Sequence, residues 1–292
     1  MSNPKEDPTL PDFVIIGAMK CGTTTLAAQF SAQSGVFITT PKEPNFFSDD
    51  EIYAKGEDWY RRLFREAKPS DLKGEASTHY TKLPTHPNSV ARMKELIPQA
   101  KLIYMIRNPL ARAVSHYIHE WSLRNVGSDW DAALRDNPSF TEYGCYGMQI
   151  TPFVEAYGRD KVFLTSLEAI KTDPKSEFRK ISNFLGLPAS IQWTEDLGSQ
   201  NVSEDRFRRL PLQSVLVDNP IARTLRRVLI PKSVRNKIRS GRRMTRRPEL
   251  PDDVKARMVQ IFLQDREVLA THFPDHATLD LCYPFREQLK DD

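Results

Sequence analysis

The chain has 292 residues, of which 39% are hydrophobic and 27% charged, a composition that allows one large core and at most an added subdomain. No apolar run approaches the roughly 20 residues that span a bilayer, and the opening MSNPKEDPTLPD lacks the apolar centre of a secretory signal, so the protein is expected to act in the cytoplasm. Net charge is +4, yet residues 206–247 hold 14 Lys/Arg against one acid, Asp218, leaving 28 basic and 37 acidic residues elsewhere; charge so concentrated points to an anionic partner.

Residues 13–17 (FVIIG) predict a buried strand ended by glycine, and Thr23 to about Gln33 a helix. Short strands are expected at 35–39 (GVFIT) and 72–77 (LKGEAS). KLIYMI at 101–106 is the next strand, bounded by Arg107-Asn108-Pro109, and a helix from about Leu110 carries Ala113, Val114, Tyr117, Ile118 and Trp121 at helical spacing. KVFLTSL at 161–167 is another strand, followed by a helix over 174–185 that ends at Gly186. A last amphipathic helix near 252–270 should bury Val254, Met258, Ile261, Phe262 and Leu269. Strands alternating with helices predict an α/β fold with a mainly parallel sheet. One domain is expected over residues 12–292, after a flexible 1–11, with a basic lid or insertion at about 204–250.

The loop GAMKCG after the first strand, followed by Thr23-Thr24-Thr25, lets backbone N–H groups converge on an anion at a helix N-terminus. A nucleotide-kinase loop would place its lysine after the second glycine. Here Lys20 lies inside the loop, and the strand at 101–106 ends in Arg107 rather than a magnesium-binding aspartate. Arg107, with Ser115 two turns into the next helix, offers a second anion site, since a guanidinium forks two N–H groups onto a phosphate; Arg112 is a nearby alternative. Cys21, Cys145 and Cys282 are too few and too dispersed for a disulfide framework or a metal cluster. His116 and His119 lack an evident third ligand, so no metal is expected.

KCGTTT, then PKEPNFF, then IRNP-x-x-RA-x-S-x-Y together resemble the sulfotransferases that use 3′-phosphoadenosine 5′-phosphosulfate (PAPS). Within them the chain is most similar to the heparan-sulfate-type and bacterial sulfotransferase-domain branch, over about residues 12–185. The resemblance implies a P-loop-like three-layer fold, a central mainly parallel sheet flanked by helices. It also implies PAPS as co-substrate, with no metal. Its 5′-phosphosulfate loop maps onto Lys20, Cys21, Gly22, Thr23, Thr24 and Thr25, and its 3′-phosphate site onto Arg107 and Ser115. Lys20 would steady the departing bridging oxygen.

A base must take the acceptor's proton. Glu43 matches the glutamate of the heparan-sulfate-type branch, and the neighbouring Phe46-Phe47 is expected to bury it and raise its pKa. His79, in GEASTHYTKLP, is the rival. Ala76 stands where that branch often has a lysine, and Lys82 is a possible substitute. Tyr146 would line an acceptor cleft or be buried; Trp59, Trp121, Trp130 and Trp193 read as core or rim. Residues 206–247 have three readings: a closure over PAPS that recruits a polyanionic acceptor, a membrane-surface helix, or a solvated face. The expected reaction is sulfonate transfer to a hydroxyl, less readily an amine, of a carbohydrate or other small acceptor. The alternatives are a P-loop kinase or NTPase and a basic anion- or nucleic-acid-binding protein.

Overall fold

The computed structural model describes residues 9–127, 129–197 and 248–289. Five parallel strands, β1 (Phe13–Gly17), β2 (Val36–Ile38), β3 (Leu72–Ala76), β4 (Lys101–Ile106) and β5 (Val162–Ser166), form one sheet in the order β2-β3-β1-β4-β5. All five lie where the sequence places them.

Both faces of the sheet are covered, and the strands alternate between two cores. Phe13 and Ile15 of β1, with Ile103 and Met105 of β4, pack on α1 (Thr23–Ser31) and α10 (Pro174–Leu185). Val14, Ile16, Leu102, Tyr104 and Ile106 face a larger core closed by α8 (Tyr146–Tyr157) and α11 (Asp252–His272). The expected three layers are present. Val254, Met258, Phe262 and Leu269 of α11 are buried as predicted, but Ile261 is 42% exposed. Nothing in its place on the helix explains this, since Val254, seven residues earlier on nearly the same face, is buried.

Local chemistry sets the helix ends. α5 (Pro109–Leu123) begins at Asn108, whose Oδ1 accepts from the Ala111 amide at 3.0 Å, with proline at the first helical position. α10 begins likewise at Asp173-Pro174 and ends at Gly186 in the left-handed conformation. Helices α2 (Asp50–Tyr53), α3 (Glu57–Arg61), α4 (Ser89–Leu96), α6 (Trp130–Asp136), α7 (Ser139–Glu142), α9 (Leu167–Thr172) and α12 (Thr278–Cys282) are short, and sequence periodicity did not announce them. α8 is longer, but Gly147 and Pro152 within it mask its pattern. Residues 1–8 and the basic 206–247 stretch lie outside the described residues, while Thr9 is hydrogen-bonded by Arg61 at 2.8 Å.

Candidate active site

β1 and β4 are neighbours, but the chain runs from β1 outward through β2 and β3 before crossing back to β4. Such a reversal leaves a crevice beyond the carboxyl ends of the two strands, the usual ligand position in an open parallel sheet. The two candidate anion sites of the sequence sit at those ends.

The loop after β1 is tied to β4 by the Ala18 amide, which donates to the Met105 carbonyl at 2.6 Å. Lys20 (φ 69°) and Gly22 (φ 95°) both adopt the left-handed conformation. Glycine is required at 22, because a Cβ there would meet Leu167 Cδ1 at 2.9 Å and Met105 Cε at 3.0 Å. Gly22 starts α1 without a side-chain cap, so the Thr23 and Thr24 amides are left for a ligand, while the Thr25 amide turns back to the Gly22 carbonyl at 3.0 Å. Thr23 is buried, Thr24 and Thr25 half-buried. Cys21 faces away from the crevice: its thiol lies 3.5 Å from the Tyr146 hydroxyl, and burial pushes it up to about 11. Only its backbone belongs to the loop.

Arg107 ends β4, and its Nη1 donates to the Lys20 carbonyl at 3.3 Å, which joins the two candidate sites. Its Nε is buried without a hydrogen-bond partner, an open donor of the kind an anion satisfies. Ser115 is buried on α5. Arg112, the sequence's alternative, also has a buried Nε without a hydrogen-bond partner, but the rest of its guanidinium is engaged within the helical layer. It is fully buried, donates to the Phe140 carbonyl and contacts His116 Nδ1 at 3.5 Å, so it braces α7 against α5.

Glu43 stands on the β2–β3 connection, held at the tail of β3 by its amide, which donates to the Ala76 carbonyl at 3.0 Å. Glu43 (φ 62°) and Asn45 (φ 54°) are both left-handed. Phe46 and Phe47 are fully buried as expected, but the Glu43 carboxyl moves down, not up. Burial alone would raise it. The Lys42 ammonium at 2.5 Å from Oε1 and the charges of His79 and Lys82 outweigh that effect. The Thr78 hydroxyl also donates to Oε1, at 3.4 Å. His79 is held down to about 4 by burial and by Lys82 and His86, on whose ring it stacks at 5.1 Å. Lys82 is 8% exposed and lowered to about 8, chiefly by burial. Both candidate bases therefore sit in one cluster on either side of β3.

Thr78 and His86 escaped sequence reasoning because nothing in their local pattern marks them. Glu75 left a readable signal, an acid inside a strand predicted to be buried. Tyr146 is buried rather than cleft-lining, and Trp130 is core. His116 faces Glu120 at 3.6 Å. Among the described residues no cluster of His, Cys, Asp or Glu has the geometry of a metal site, and no helix is long and apolar enough to cross a membrane.

A profile of the sulfotransferase domain matches residues 10–273. Among curated proteins, the chain is similar to mouse heparan sulfate glucosamine 3-O-sulfotransferase 3B1, 30% identical over 62% of this chain and 47% of that one. It is also similar to the Caenorhabditis elegans bifunctional heparan sulfate N-deacetylase/N-sulfotransferase 1, at 26% over 62% and 22%. The chain thus spans about half or less of the length of these relatives. A solved sulfotransferase from Alicyclobacillus acidocaldarius shares the fold, with a TM-score of 0.67 at 22% identity over 92% of this chain and 98% of that one.

Proposed function

The chain belongs to the sulfotransferase-domain family, and from that premise we propose that it moves a sulfonate group from PAPS to a hydroxyl, less readily an amine, of a carbohydrate or other small acceptor. The observation that carries this reading is the pairing, at the β1/β4 crevice, of a left-handed lysine-bearing loop with Arg107 and its buried, unpartnered Nε. A donor with phosphates at two positions needs two such sites.

In this reading the amides of Thr23 and Thr24, with the hydroxyls of Thr23, Thr24 and Thr25, orient the 5′-phosphate. Lys20 neutralises charge on the bridging oxygen as sulfur leaves it, the place a metal ion fills in kinases. Arg107 and Ser115 take the 3′-phosphate. Glu43, ionised and beside the cleft, accepts the acceptor's proton. The heparan sulfate relatives support a carbohydrate acceptor, and the three buried, unpaired cysteines support a reducing compartment such as the cytoplasm.

Titration with the product PAP tests the donor assignment. PAP is expected to bind more tightly than ADP, with EDTA making no difference. Arg107→Ala should weaken PAP by about 10- to 100-fold, the usual value of hydrogen bonds to a charged group. Equal affinity for PAP and ADP would refute the two-site reading.

A further inference from the structure

Resting on Glu43 as the base, we infer that Glu75 is a positioning residue that fixes the Glu43–Phe47 segment from beneath through Ser77, Tyr60 and Tyr80. Glu75 lies on β3 and is fully buried with no cationic partner among the described residues. Three hydroxyls converge on its two oxygens. Ser77 Oγ donates to Oε1 at 2.7 Å and Tyr80 to Oε1 at 2.6 Å, while Tyr60 donates to Oε2.

Each donor continues into the segment that carries the base. Because the Ser77 proton points at Glu75, a lone pair of Ser77 Oγ is left facing the other way, where it accepts from the Asn45 amide at 3.2 Å. The Tyr60 ring stacks on Phe46 at 4.6 Å and meets Phe47 edge-on at 5.0 Å, and Tyr80 meets Phe47 at 5.5 Å. One carboxylate thereby sets both the amide two residues beyond Glu43 and the two rings that anchor the segment.

Such anchoring answers a need of this backbone. Glu43 is left-handed without being glycine or asparagine, a conformation that persists only where the surroundings over-determine it, while Asn45, also left-handed, tolerates it more readily. The Ala76 carbonyl holds the Glu43 amide and the Ser77 hydroxyl holds the Asn45 amide, so two successive positions of β3's tail impose the turn. The carboxylate is then delivered to Lys42 and Thr78.

The test reads the placement of Glu43 directly, without turnover. In Ser77→Ala, PAP affinity should stay within about twofold of wild type. Exchange of the Asn45 amide should accelerate about tenfold or more, and the Glu43 carboxyl, followed by carbon-13 NMR, should titrate closer to the ordinary carboxylate range. Ser77→Thr should restore both readouts, and Glu75→Gln should reproduce the alanine phenotype. If Glu75→Gln does not fold, Ser77→Ala decides alone. A folded Ser77→Ala with unchanged Asn45 exchange and Glu43 titration would overturn the inference, as would a parallel loss of PAP affinity, which marks general loosening. Retained turnover in Glu43→Gln would instead overturn the base assignment itself, a failure distinguishable because the Asn45 exchange and Glu43 titration of Ser77→Ala do not depend on it.

Discussion

At the residue scale, the two candidate bases sit in one cluster whose charges lower the pKa of both. Burial with Lys82 and His86 holds His79 at about 4, and Lys42, His79 and Lys82 together carry Glu43 below the ordinary carboxylate value despite its burial. Either group is deprotonated at neutral pH, and either would give an acid limb at or below about pH 4.5, so substitution discriminates where a pH profile does not. Glu43→Gln is expected to lower kcat by about 10²- to 10⁴-fold, with His79→Ala far milder; the reverse ranking transfers the role to His79. Lys82→Met sharpens the same point. Removing that cation relieves its pull on Glu43 and His79, so the acid limb should move to higher pH. In the wild type, deprotonation of Lys82 as pH rises through about 8 acts in the same direction, but there Glu43 is already ionised and the effect on it is small. Glu43 itself was legible in PKEPNFF. Its lowered pKa was not, because two of the charges responsible, His79 and Lys82, arrive from the loop after β3.

At the element scale, α8 illustrates how a helix can be invisible locally and firmly specified by the fold. Cys145 at its N-cap makes no side-chain cap. The role falls to Asp265 of α11, whose carboxylate accepts from the Gly147 and Met148 amides at 2.7 Å each, from 118 and 117 residues away. Gly147 permits the approach, since a Cβ there would lie 2.5 Å from the Asp265 carbonyl oxygen and 2.7 Å from the Leu269 amide. Burial nevertheless raises Asp265 from 3.8 to about 6, more than the two amides lower it. The sign follows from proton linkage: between about pH 4 and 6 the folded chain keeps a proton the unfolded chain has released, so stability falls as pH rises through that window. Chemical denaturation across pH 4–7 should show that slope, and Asp265→Asn should flatten it. Asp265→Ala strands the buried Gly147 amide and the part-buried Met148 amide, and is expected to cost about 1–3 kcal/mol. Gly147→Ala should also destabilise, by forcing α8 and α11 apart. A local pattern cannot reveal a cap supplied from so far along the chain, whereas Asn108-Pro109 and Asp173-Pro174 cap their own helices from adjacent residues.

At the scale of the whole molecule, β1, β2, β4 and β5 were legible as short, mainly apolar runs, whereas β3 (LKGEA) carries Lys73 and Glu75 and was placed as the short segment that fills the gap before β4. Their order was not legible, since apolar runs buried on both faces carry no information about which strand lies beside which. The adjacency of β1 and β4 had a different source: one loop and one arginine that make chemical sense only if neighbours. That adjacency places Lys20 and Arg107 at opposite lips of one crevice, linked by the 3.3 Å contact between the Arg107 guanidinium and the Lys20 carbonyl. The consequence is a divided site in which each phosphate position should contribute separately to stability. PAP at a hundred times its Kd should stabilise the chain by about 2.7 kcal/mol, seen as a rise in Tm. On the proposed assignment adenosine 5′-phosphate would engage the β1 loop alone and adenosine 3′-phosphate the β4 side alone, so at the same concentration each should raise Tm less than PAP. In Arg107→Ala the rise with PAP should shrink to that given by adenosine 5′-phosphate, while the response to adenosine 5′-phosphate changes little. If both monophosphates instead lose their effect together, the crevice is a single anion site and Arg107 supports the β1 loop through its carbonyl contact instead of reading a second phosphate.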